Sequence, residues 1–350
     1  MTSYIRKEVL ELKGYHLTSH PEAVKLNQNE ISWDIPGEIK AQVLEKLVLI
    51  PWNRYPFHQP FRLREKLSKI LAWPEEGILI SNGSNVLIQA ILIATAINGR
   101  LLTVDPTFSL YEIEAKALGC EVEAVPLGEN FSFPREEILS ALAARPPSII
   151  FLANPNAPTG NLFPKEAVLE IVKAAPCLVI VDEAYFQFAD SHLQEELSQH
   201  KNLILLRTFS KAFGMGGVRI GFAMGAPEIM REIAKVMLPY CVSALNEAVA
   251  EAILEHPEVV EKRLTEVKIE RAKLFQNLSA LEGVKAYPSQ TNFLIFQVAD
   301  ADQVFQGLLK EGVLVRNVSH PPSLPHTLRV TVGTPEENER FLKALQKVVR

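Results

Sequence analysis

Three groups of polar residues follow three short apolar runs of the chain: Asn154, Asp182 and the pair Ser210-Lys211. Asn154 and Asp182 are 28 residues apart and Asp182 and Lys211 are 29 apart, each about the length of one strand–helix unit. Because ligands bind beyond the carboxyl ends of the strands in an open parallel sheet, we expect these side chains to converge. A lysine in such a place can lose its proton and capture a carbonyl group, and a buried aspartate needs a cationic partner.

A further motif offers a site for phosphate. Gly83-Ser84-Asn85 opens a predicted helix, so its backbone N–H groups and the positive end of the helix dipole favour an anion. Arg219 and Ser210 could add a positive charge and a hydroxyl group. Pyridoxal phosphate has a group that matches each of these features: an aldehyde for the lysine amine, a pyridinium nitrogen for the aspartate and a phosphate for the helix amino terminus. We therefore predict it as the cofactor.

The elements that must position these residues follow from the apolar pattern. Seven runs predict strands: Ile78–Ile80, Leu101–Val104, Val122–Val125, Ile149–Leu152, Leu178–Val181, Leu203–Leu206 and Ile220–Met224. The helices predicted between them are Asn85–Ile97, Ser109–Leu118, Arg135–Ala143 and Lys165–Ala174. Apolar strands without in–out alternation, separated by helices, predict an α/β fold whose large domain has a mainly parallel seven-stranded sheet flanked by helices.

The pattern changes after Met224. A long helical region extends from Pro227 to about Leu281, with one break near Pro239. Short strands and helices then alternate over Val284–Tyr287, Asn292–Val298, Asp302–Leu309, Val313–Val315, Leu328–Val332 and a final helix from Pro335. These predict a smaller α+β domain. We expect an amino-terminal arm over residues 1–35, a large cofactor-binding domain over residues 36–240 and a small domain over residues 241–350.

The composition is that of a globular enzyme with a sizeable core. Of the 350 residues, 47% are hydrophobic and 22% are charged, which excludes a disordered chain. The net charge of −5 gives no excess of Lys and Arg, so we expect neither nucleic acid nor membrane lipid as a partner. The most apolar helical run, Val86–Ile97, has 12 residues, whereas a membrane span needs about 20.

The cysteines and histidines give no sign of a disulfide framework or a metal site. Cys120, Cys177 and Cys241 are far apart among apolar neighbours, a pattern typical of buried thiols in a reducing compartment. The amino-terminal residues carry no apolar segment for secretion, so we expect a cytoplasmic location. His16 and His20 are four residues apart, but no glutamate completes a zinc motif, and we expect no metal.

Several sequence blocks resemble one enzyme family. The blocks Asn154–Gly160, Asp182–Tyr185 and Arg207–Gly214 are similar to those of the fold-type I pyridoxal-phosphate aminotransferases. Within this group, four further blocks resemble histidinol-phosphate aminotransferase: Leu26–Glu30, Asn53–Pro56, Gly216–Gly221 and Leu328–Gly333. The blocks occur in the same order from about residue 26 onwards, so the resemblance covers most of the chain.

The resemblance implies roles around the cofactor ring. Lys211 would bind the cofactor aldehyde and move a proton between the substrate Cα and the cofactor. Asp182 would keep the pyridine nitrogen protonated, and Asn154 and Tyr185 would bind the phenolic oxygen. Phe108 would stack on the ring. Lys211, Asp182 and Tyr185 are therefore the expected catalytic residues.

The resemblance also assigns the cofactor phosphate to side chains and backbone amides of one subunit and to a tyrosine of its neighbour. The implied phosphate-binding residues are Gly83, Ser84, Asn85, Thr208, Ser210, Arg219 and, from the neighbouring subunit, Tyr55. A site that takes one residue from each of two subunits implies a homodimer.

The implied reaction is the transfer of the amino group of L-histidinol phosphate to 2-oxoglutarate, giving imidazole-acetol phosphate and glutamate in histidine biosynthesis. Arg316 and Arg329, 13 residues apart, would bind the substrate phosphate, since a guanidinium group suits a phosphate. Asn154 would also contact the substrate, and Tyr15 would close over it.

Other reactions on the same scaffold stay open. In an aminotransferase for aromatic amino acids, Arg329 would bind a carboxylate, whereas a decarboxylase for phosphorylated threonine would release carbon dioxide without a keto acid. A non-catalytic regulator that binds the cofactor is a further alternative. The chain departs from the family pattern at Phe108, where tyrosine is common, and at Asn85, where an acidic residue is frequent. These departures bear on the substrate and leave the predicted cofactor unaffected.

Overall fold

The computed structural model describes residues 4–12, 20, 22–319 and 322–349. The strands in these residues are β1 (Val24–Lys25), β2 (Ile78–Ser81), β3 (Arg100–Asp105), β4 (Glu121–Pro126), β5 (Ile149–Ala153), β6 (Leu178–Asp182), β7 (Leu203–Thr208), β8 (Gly221–Met224), β9 (Lys285–Ala286), β10 (Phe293–Gln297), β11 (Val313–Leu314), β12 (Arg316–Asn317) and β13 (Thr327–Thr331). The helices are α1 (Lys7–Leu10), α2 (Gly37–Val48), α3 (Phe61–Leu71), α4 (Ser84–Thr95), α5 (Leu110–Ala117), α6 (Arg135–Ala144), α7 (Lys165–Ala174), α8 (Pro227–Ala234), α9 (Ala244–Leu254), α10 (Pro257–Ser279), α11 (Ala301–Lys310) and α12 (Pro335–Val348).

Among the described residues, β2 to β8 form a seven-stranded sheet in the order β2-β8-β7-β6-β5-β3-β4. The strand β8 is antiparallel to β2 and β7, and every other neighbouring pair is parallel. Successive residues of β7 enter apolar clusters on opposite faces, Leu203 and Leu205 on one face and Ile204 and Leu206 on the other. Because both faces are covered, the strand has no polar alternation, and the prediction of seven strands in a mainly parallel sheet is confirmed.

The register of the central strands aligns their carboxyl ends. Ala153 of β5 is the partner of Asp182 of β6, and Asp182 is in turn the partner of Leu206 of β7. The alignment continues past the strand ends, because the Asn154 N–H donates to the Asp182 carbonyl at 2.9 Å. The polar residues that follow these strands therefore emerge at one edge of the sheet, as the spacing predicts.

The helical region after β8 is broken twice, into α8, α9 and α10, where the sequence predicts one break near Pro239. The Ser243 side chain accepts from the Asn246 N–H and begins α9. The second break falls before Pro257, which opens α10, because proline lacks an N–H and favours the first position of a helix.

The described carboxyl-terminal region forms a four-stranded antiparallel sheet in the order β12-β13-β10-β9, with α11 and α12 beside it. The amino-terminal residues attach here, since β1 pairs in parallel with β11 and the Thr331 N–H donates to the Leu26 carbonyl at 2.9 Å. The boundaries predicted at residues 35 and 240 stay a prediction.

No helix in the described residues is long and apolar enough to cross a membrane. Within the same residues, no group of three or more His, Cys, Asp or Glu side chains could hold a metal ion. Cys120 is buried, Cys177 and Cys241 are half-buried, and all three are free thiols.

Candidate active site

A cavity of about 300 Å³ lies at the carboxyl ends of β5, β6 and β7. It collects most of the residues singled out from the sequence. Those that line it are Ser84, Asn85, Phe108, Asp182, Tyr185, Thr208, Ser210, Lys211, Arg219 and Arg329. These residues come from loops and strand ends far apart in the chain, so the expected convergence is observed.

The other predicted site residues lie around this cavity or away from it. Gly83 precedes the lining residue Ser84, and Asn154 is buried beside the cavity. Tyr55 lies on the protein surface and does not line the cavity. Tyr15 lies outside the described residues. The roles predicted for these side chains stay predictions.

Asp182 ends β6 in a fully buried position. Its Oδ2 accepts a hydrogen bond from the Tyr111 hydroxyl at 2.8 Å, and its Oδ1 accepts one from the Ala184 N–H at 3.0 Å. Burial raises the pKa of Asp182 to about 6, against the effect of these hydrogen bonds. A carboxylate in such a place is stabilised by a cation beside it, and a protonated ring nitrogen would be one.

Lys211 lies in the turn after β7, where Gly214 donates its N–H to the Lys211 carbonyl. Its Nζ donates to the backbone carbonyl of Gln28 at 3.0 Å and lies 5.7 Å from the centre of the Tyr185 ring. The lysine is half-buried and lines the cavity. The amine is thus held inside the site by a neutral acceptor.

Tyr185 is oriented by the amino-terminal segment. Its hydroxyl accepts a hydrogen bond from Asn29 Nδ2 at 2.8 Å, and its ring packs edge-on against Phe293 at 5.2 Å. Asn29 is itself fixed, since its N–H donates to Thr331 Oγ1 at 2.9 Å and its carbonyl accepts from Asn292 Nδ2 at 3.0 Å. Because the tyrosine oxygen accepts from Asn29, its own hydrogen is available for another acceptor.

The Asn154 carboxamide is already engaged with the backbone. Its Oδ1 accepts from the Phe163 N–H at 2.7 Å, and its Nδ2 donates to the Phe163 carbonyl at 3.3 Å. The amide nitrogen carries a second hydrogen, which the predicted contact with a phenolic oxygen would need.

The loop before α4 has the shape of a phosphate site. Gly83 has φ +82°, and a Cβ there would lie 2.4 Å from the Arg219 guanidinium, so glycine is required. Arg219 Nη1 donates to Ser210 Oγ at 3.1 Å and to the Gly216 carbonyl at 3.0 Å. Ser84 begins α4, so free N–H groups, a helix amino terminus and a guanidinium meet at one point.

An adjoining cavity of about 400 Å³ shares Phe108, Ala157 and Arg329 with the first. Arg316 lines this adjoining cavity. Arg316 and Arg329 are register partners on β12 and β13, so their side chains leave the same face of the small sheet. Two guanidinium groups thus flank the space next to the Lys211 cavity.

Sequence reasoning missed Tyr111 and assigned no role to the segment Asn27–Asn29. This segment lines the cavity, and its backbone and side chains contact Lys211, Tyr185 and Arg329. The block Leu26–Glu30 carries part of the family resemblance, and that was the available signal. For Tyr111, the signal was its position three residues after Phe108, in the first turn of the predicted helix.

Comparison with known proteins gives the family. The model of the family "Aminotransferase class I and II" matches residues 21–345. A histidinol-phosphate aminotransferase of Deinococcus radiodurans is 36% identical over 346 residues, which cover 98% of this chain and 96% of the relative. One of Chlorobaculum tepidum is 38% identical over 340 residues, which cover 96% of this chain and 98% of the relative.

A solved structure shows the same fold. The crystal structure of histidinol-phosphate aminotransferase from Sinorhizobium meliloti, in complex with pyridoxal 5′-phosphate, aligns with a TM-score of 0.88. The alignment covers 99% of this chain and 98% of the other at 22% identity. The predicted α/β architecture is therefore confirmed.

The residues of this chain fit pyridoxal phosphate on structural grounds. A buried carboxylate stands where a cation would stabilise it, a lysine lies inside the same cavity, and glycine leaves the space before α4 that a side chain would fill. The predictions of a pyridoxal-phosphate cofactor and an aminotransferase are confirmed, and this chain belongs to the class I and II aminotransferase family.

Proposed function

We propose that the protein transfers the amino group of L-histidinol phosphate to 2-oxoglutarate, as a pyridoxal-phosphate enzyme of histidine biosynthesis. The observation that supports this substrate is the pair Arg316 and Arg329, which line a cavity that adjoins the cavity of Lys211. Guanidinium groups bind phosphate through paired N–H donors, and histidinol phosphate has a phosphate but no α-carboxylate. The names of the full-length relatives from Deinococcus radiodurans and Chlorobaculum tepidum support the same substrate.

The bound cofactor supplies an electron-accepting ring for the carbanion that forms when the substrate Cα loses its proton. Lys211 Nζ lies inside the cavity and would move the proton from the substrate Cα. Asp182 would hold a proton on the pyridine nitrogen, because the buried carboxylate is stabilised by a positive neighbour.

The remaining residues would bind and orient. Ser84, Ser210 and Arg219 would hold the cofactor phosphate at the amino terminus of α4. The Tyr185 hydroxyl, which accepts from Asn29, would donate its own hydrogen to the phenolic oxygen. Ser210, Arg219 and Tyr185 are held by hydrogen bonds within the chain, so they need little reorganisation when the ligand binds.

A half-reaction tests the proposal. Purified holoenzyme is mixed with L-histidinol phosphate in the absence of keto acid, and the absorption of the bound cofactor is followed. We expect the spectrum to change to that of the amine form of the cofactor and to revert with 2-oxoglutarate. Conversion by phenylalanine or tyrosine alone would contradict the proposed substrate, and release of carbon dioxide from phosphothreonine would contradict the proposed reaction.

We further propose that the active unit is a homodimer. The chain segments that contain Tyr55 and its stacking partner Tyr240 carry further exposed apolar side chains: Leu44, Val48, Leu49, Trp52, Phe57 and Leu238. Tyr55 is 85% exposed and stacks on Tyr240 with ring centres 5.0 Å apart. A patch of this kind is typical of an interface, and a second copy would cover it and bring Tyr55 to its site.

Mixing two inactive variants tests the shared site. Homodimers of Tyr55→Ala and homodimers of Lys211→Ala are expected to lack activity, because every site in them carries the substitution. The two proteins are unfolded, mixed and refolded together. If Tyr55 serves the partner's site, each heterodimer has one intact site, and activity returns to about a quarter of wild type. No recovery, in a mixture that sedimentation shows to be dimeric, would contradict the assignment of Tyr55.

We also propose a cytoplasmic location and domain boundaries near residues 35 and 240. Free thiols at Cys120, Cys177 and Cys241 support a reducing compartment such as the cytoplasm. Cleavage by limited proteolysis near residues 35 and 240 would support the proposed boundaries, because linkers are cleaved before packed domains.

A further inference from the structure

Tyr111 of α5 is fully buried and had no role assigned from the sequence. Its hydroxyl donates to Asp182 Oδ2 at 2.8 Å, and its ring lines the cavity that contains Lys211. The ring stacks on Phe151, with centres 5.0 Å apart, and meets Phe108 edge-on at 5.5 Å. Packing on these rings fixes the hydroxyl at one point on the carboxylate.

This hydrogen bond acts against the effect of burial. Desolvation raises the pKa of Asp182 to about 6, and the hydrogen bonds from Tyr111 and the Ala184 N–H lower it. Burial and the charge of Asp182 together raise the pKa of Tyr111 well above its usual value. The phenol therefore keeps its proton and donates without adding a charge that would compete with a cationic ligand.

Other charged groups face Asp182 from the neighbouring elements. The charge of Glu183, the next residue on the chain, raises the pKa of Asp182, and the charge of Lys211 lowers it. Glu183 forms a fully buried ion pair with Arg207 at 2.7 Å, and that pairing offsets its charge. Tyr185, also on the cavity wall, donates no hydrogen bond to the carboxylate in the described contacts. Tyr111 is thus the side-chain hydroxyl that the described structure places on Asp182.

We propose that Tyr111 is a positioning residue for the cofactor, whose hydroxyl keeps the Asp182 carboxylate ionised and oriented toward the pyridine nitrogen. The inference rests on the proposed function, because it needs a cofactor with a basic ring nitrogen at Asp182. Tyr111 touches the carboxylate and acts through it.

The variant Tyr111→Phe tests this role because it keeps the ring and removes the hydroxyl. Tyr287→Phe is the matched control, since the Tyr287 hydroxyl donates to Gln297 Oε1 at 2.8 Å outside the cavity. Holoenzyme of each protein is dialysed at a series of pH values, and retained pyridoxal phosphate is measured by absorption. A pKa of Asp182 that rises by one to two units predicts about 10- to 100-fold weaker binding for Tyr111→Phe at pH 5, where the neutral carboxyl dominates in both proteins.

The acid side of the binding curve gives a second readout. Loss of the hydrogen bond favours the neutral carboxyl, so the pH at which the cofactor is lost should rise by about one to two units in Tyr111→Phe. Tyr287→Phe should match wild type in both affinity and midpoint. Retention by Tyr111→Phe with an unchanged midpoint would overturn the inference.

A double variant separates positioning from packing. In an Asp182→Asn background the hydroxyl has no carboxylate to stabilise, so Tyr111→Phe should change the affinity by less than about twofold. An undiminished effect in this background would assign Tyr111 to packing alone and overturn the inference. Wild-type protein that fails to bind pyridoxal phosphate at all would instead overturn the proposed function, so the two failures are distinguishable.

Discussion

Arg316 and Arg329 lie directly opposite each other on two antiparallel strands, β12 and β13, and their side chains leave the same face of the sheet. A phosphate dianion bound beside them would be attracted to both guanidinium groups. Arg329 Nη2 also donates to the Asn27 carbonyl at 3.0 Å, so Arg329 helps to hold the amino-terminal segment. Arg316→Ala leaves this hydrogen bond of Arg329 in place, and we therefore use Arg316 to test phosphate binding.

We expect Arg316→Ala to lower kcat/KM for histidinol phosphate by about 10- to 100-fold, because it removes charge-assisted hydrogen bonds to the phosphate. The loss for phenylalanine or tyrosine should be within about threefold, since neither carries a phosphate. The control is Arg145→Ala, which removes an exposed arginine paired with Glu121. Steady-state kinetics with both substrates make the comparison, and equal losses for both would refute the phosphate role.

Lys211→Ala should lower the transamination rate by about 10³-fold or more, because it removes the amine that moves the proton at the substrate Cα. Lys201→Ala is the control, since Lys201 is exposed and paired with Glu228. Single-turnover rates with histidinol phosphate give the measurement. A Lys211→Ala protein that turned over at the wild-type rate would exclude the assigned role.

Gly83→Ala should weaken the binding of pyridoxal phosphate by about tenfold or more, because a Cβ meets the Arg219 guanidinium and φ +82° is strained for alanine. Gly37→Ala serves as the control, because Gly37 opens α2 and a Cβ there would meet nothing within 4 Å. Its effect on stability should be within about 1 kcal/mol. Equilibrium dialysis and thermal unfolding report the two effects, and an unchanged affinity in Gly83→Ala would contradict the phosphate site.

In the cofactor-free protein, we expect the raised pKa of Asp182 to make the free energy of unfolding depend on pH. Its pKa is about 6 in the folded protein against a usual value of 3.8, so the folded state binds more protons between these values. The stabilising contribution is full below pH 4 and is lost as the pH rises through 6, by about 3 kcal/mol at most. Comparing urea unfolding of wild type and Asp182→Asn from pH 4 to pH 7 isolates this contribution. A difference between the two proteins that does not change with pH would show that the pKa of Asp182 is not raised.

The sequence predicted the strands of the large sheet because these strands are buried on both faces. Runs such as Leu203–Leu206 are continuously apolar because helices cover both sides of the sheet, although β7 itself continues through the polar residues Arg207 and Thr208. Strand ends in a parallel sheet share an edge, so Asp182 and Lys211 could be brought together from spacing alone.

The periodicity of the sequence could not predict contacts between distant segments of the chain. The Asn29 side chain bonds to Tyr185, 156 residues away, and no spacing rule relates the two. Tyr111 was placed on a helix, but the helical period gives the face of a residue and not its partner. The break before Pro257 was missed because the charged, periodic sequence on either side of it suits a single helix.

The position of Asn29 has a consequence for the order in which the protein can form its site. Asn29 contacts Thr331, which is synthesised 302 residues later. At about 5–20 residues per second, the ribosome reaches that partner roughly 15 to 60 seconds after Asn29 has been made. The large sheet has all its strands by Met224 and can form earlier, whereas the wall formed by Asn27–Asn29 must wait for β13. Completion of the catalytic cavity is therefore a late event in the biogenesis of the enzyme.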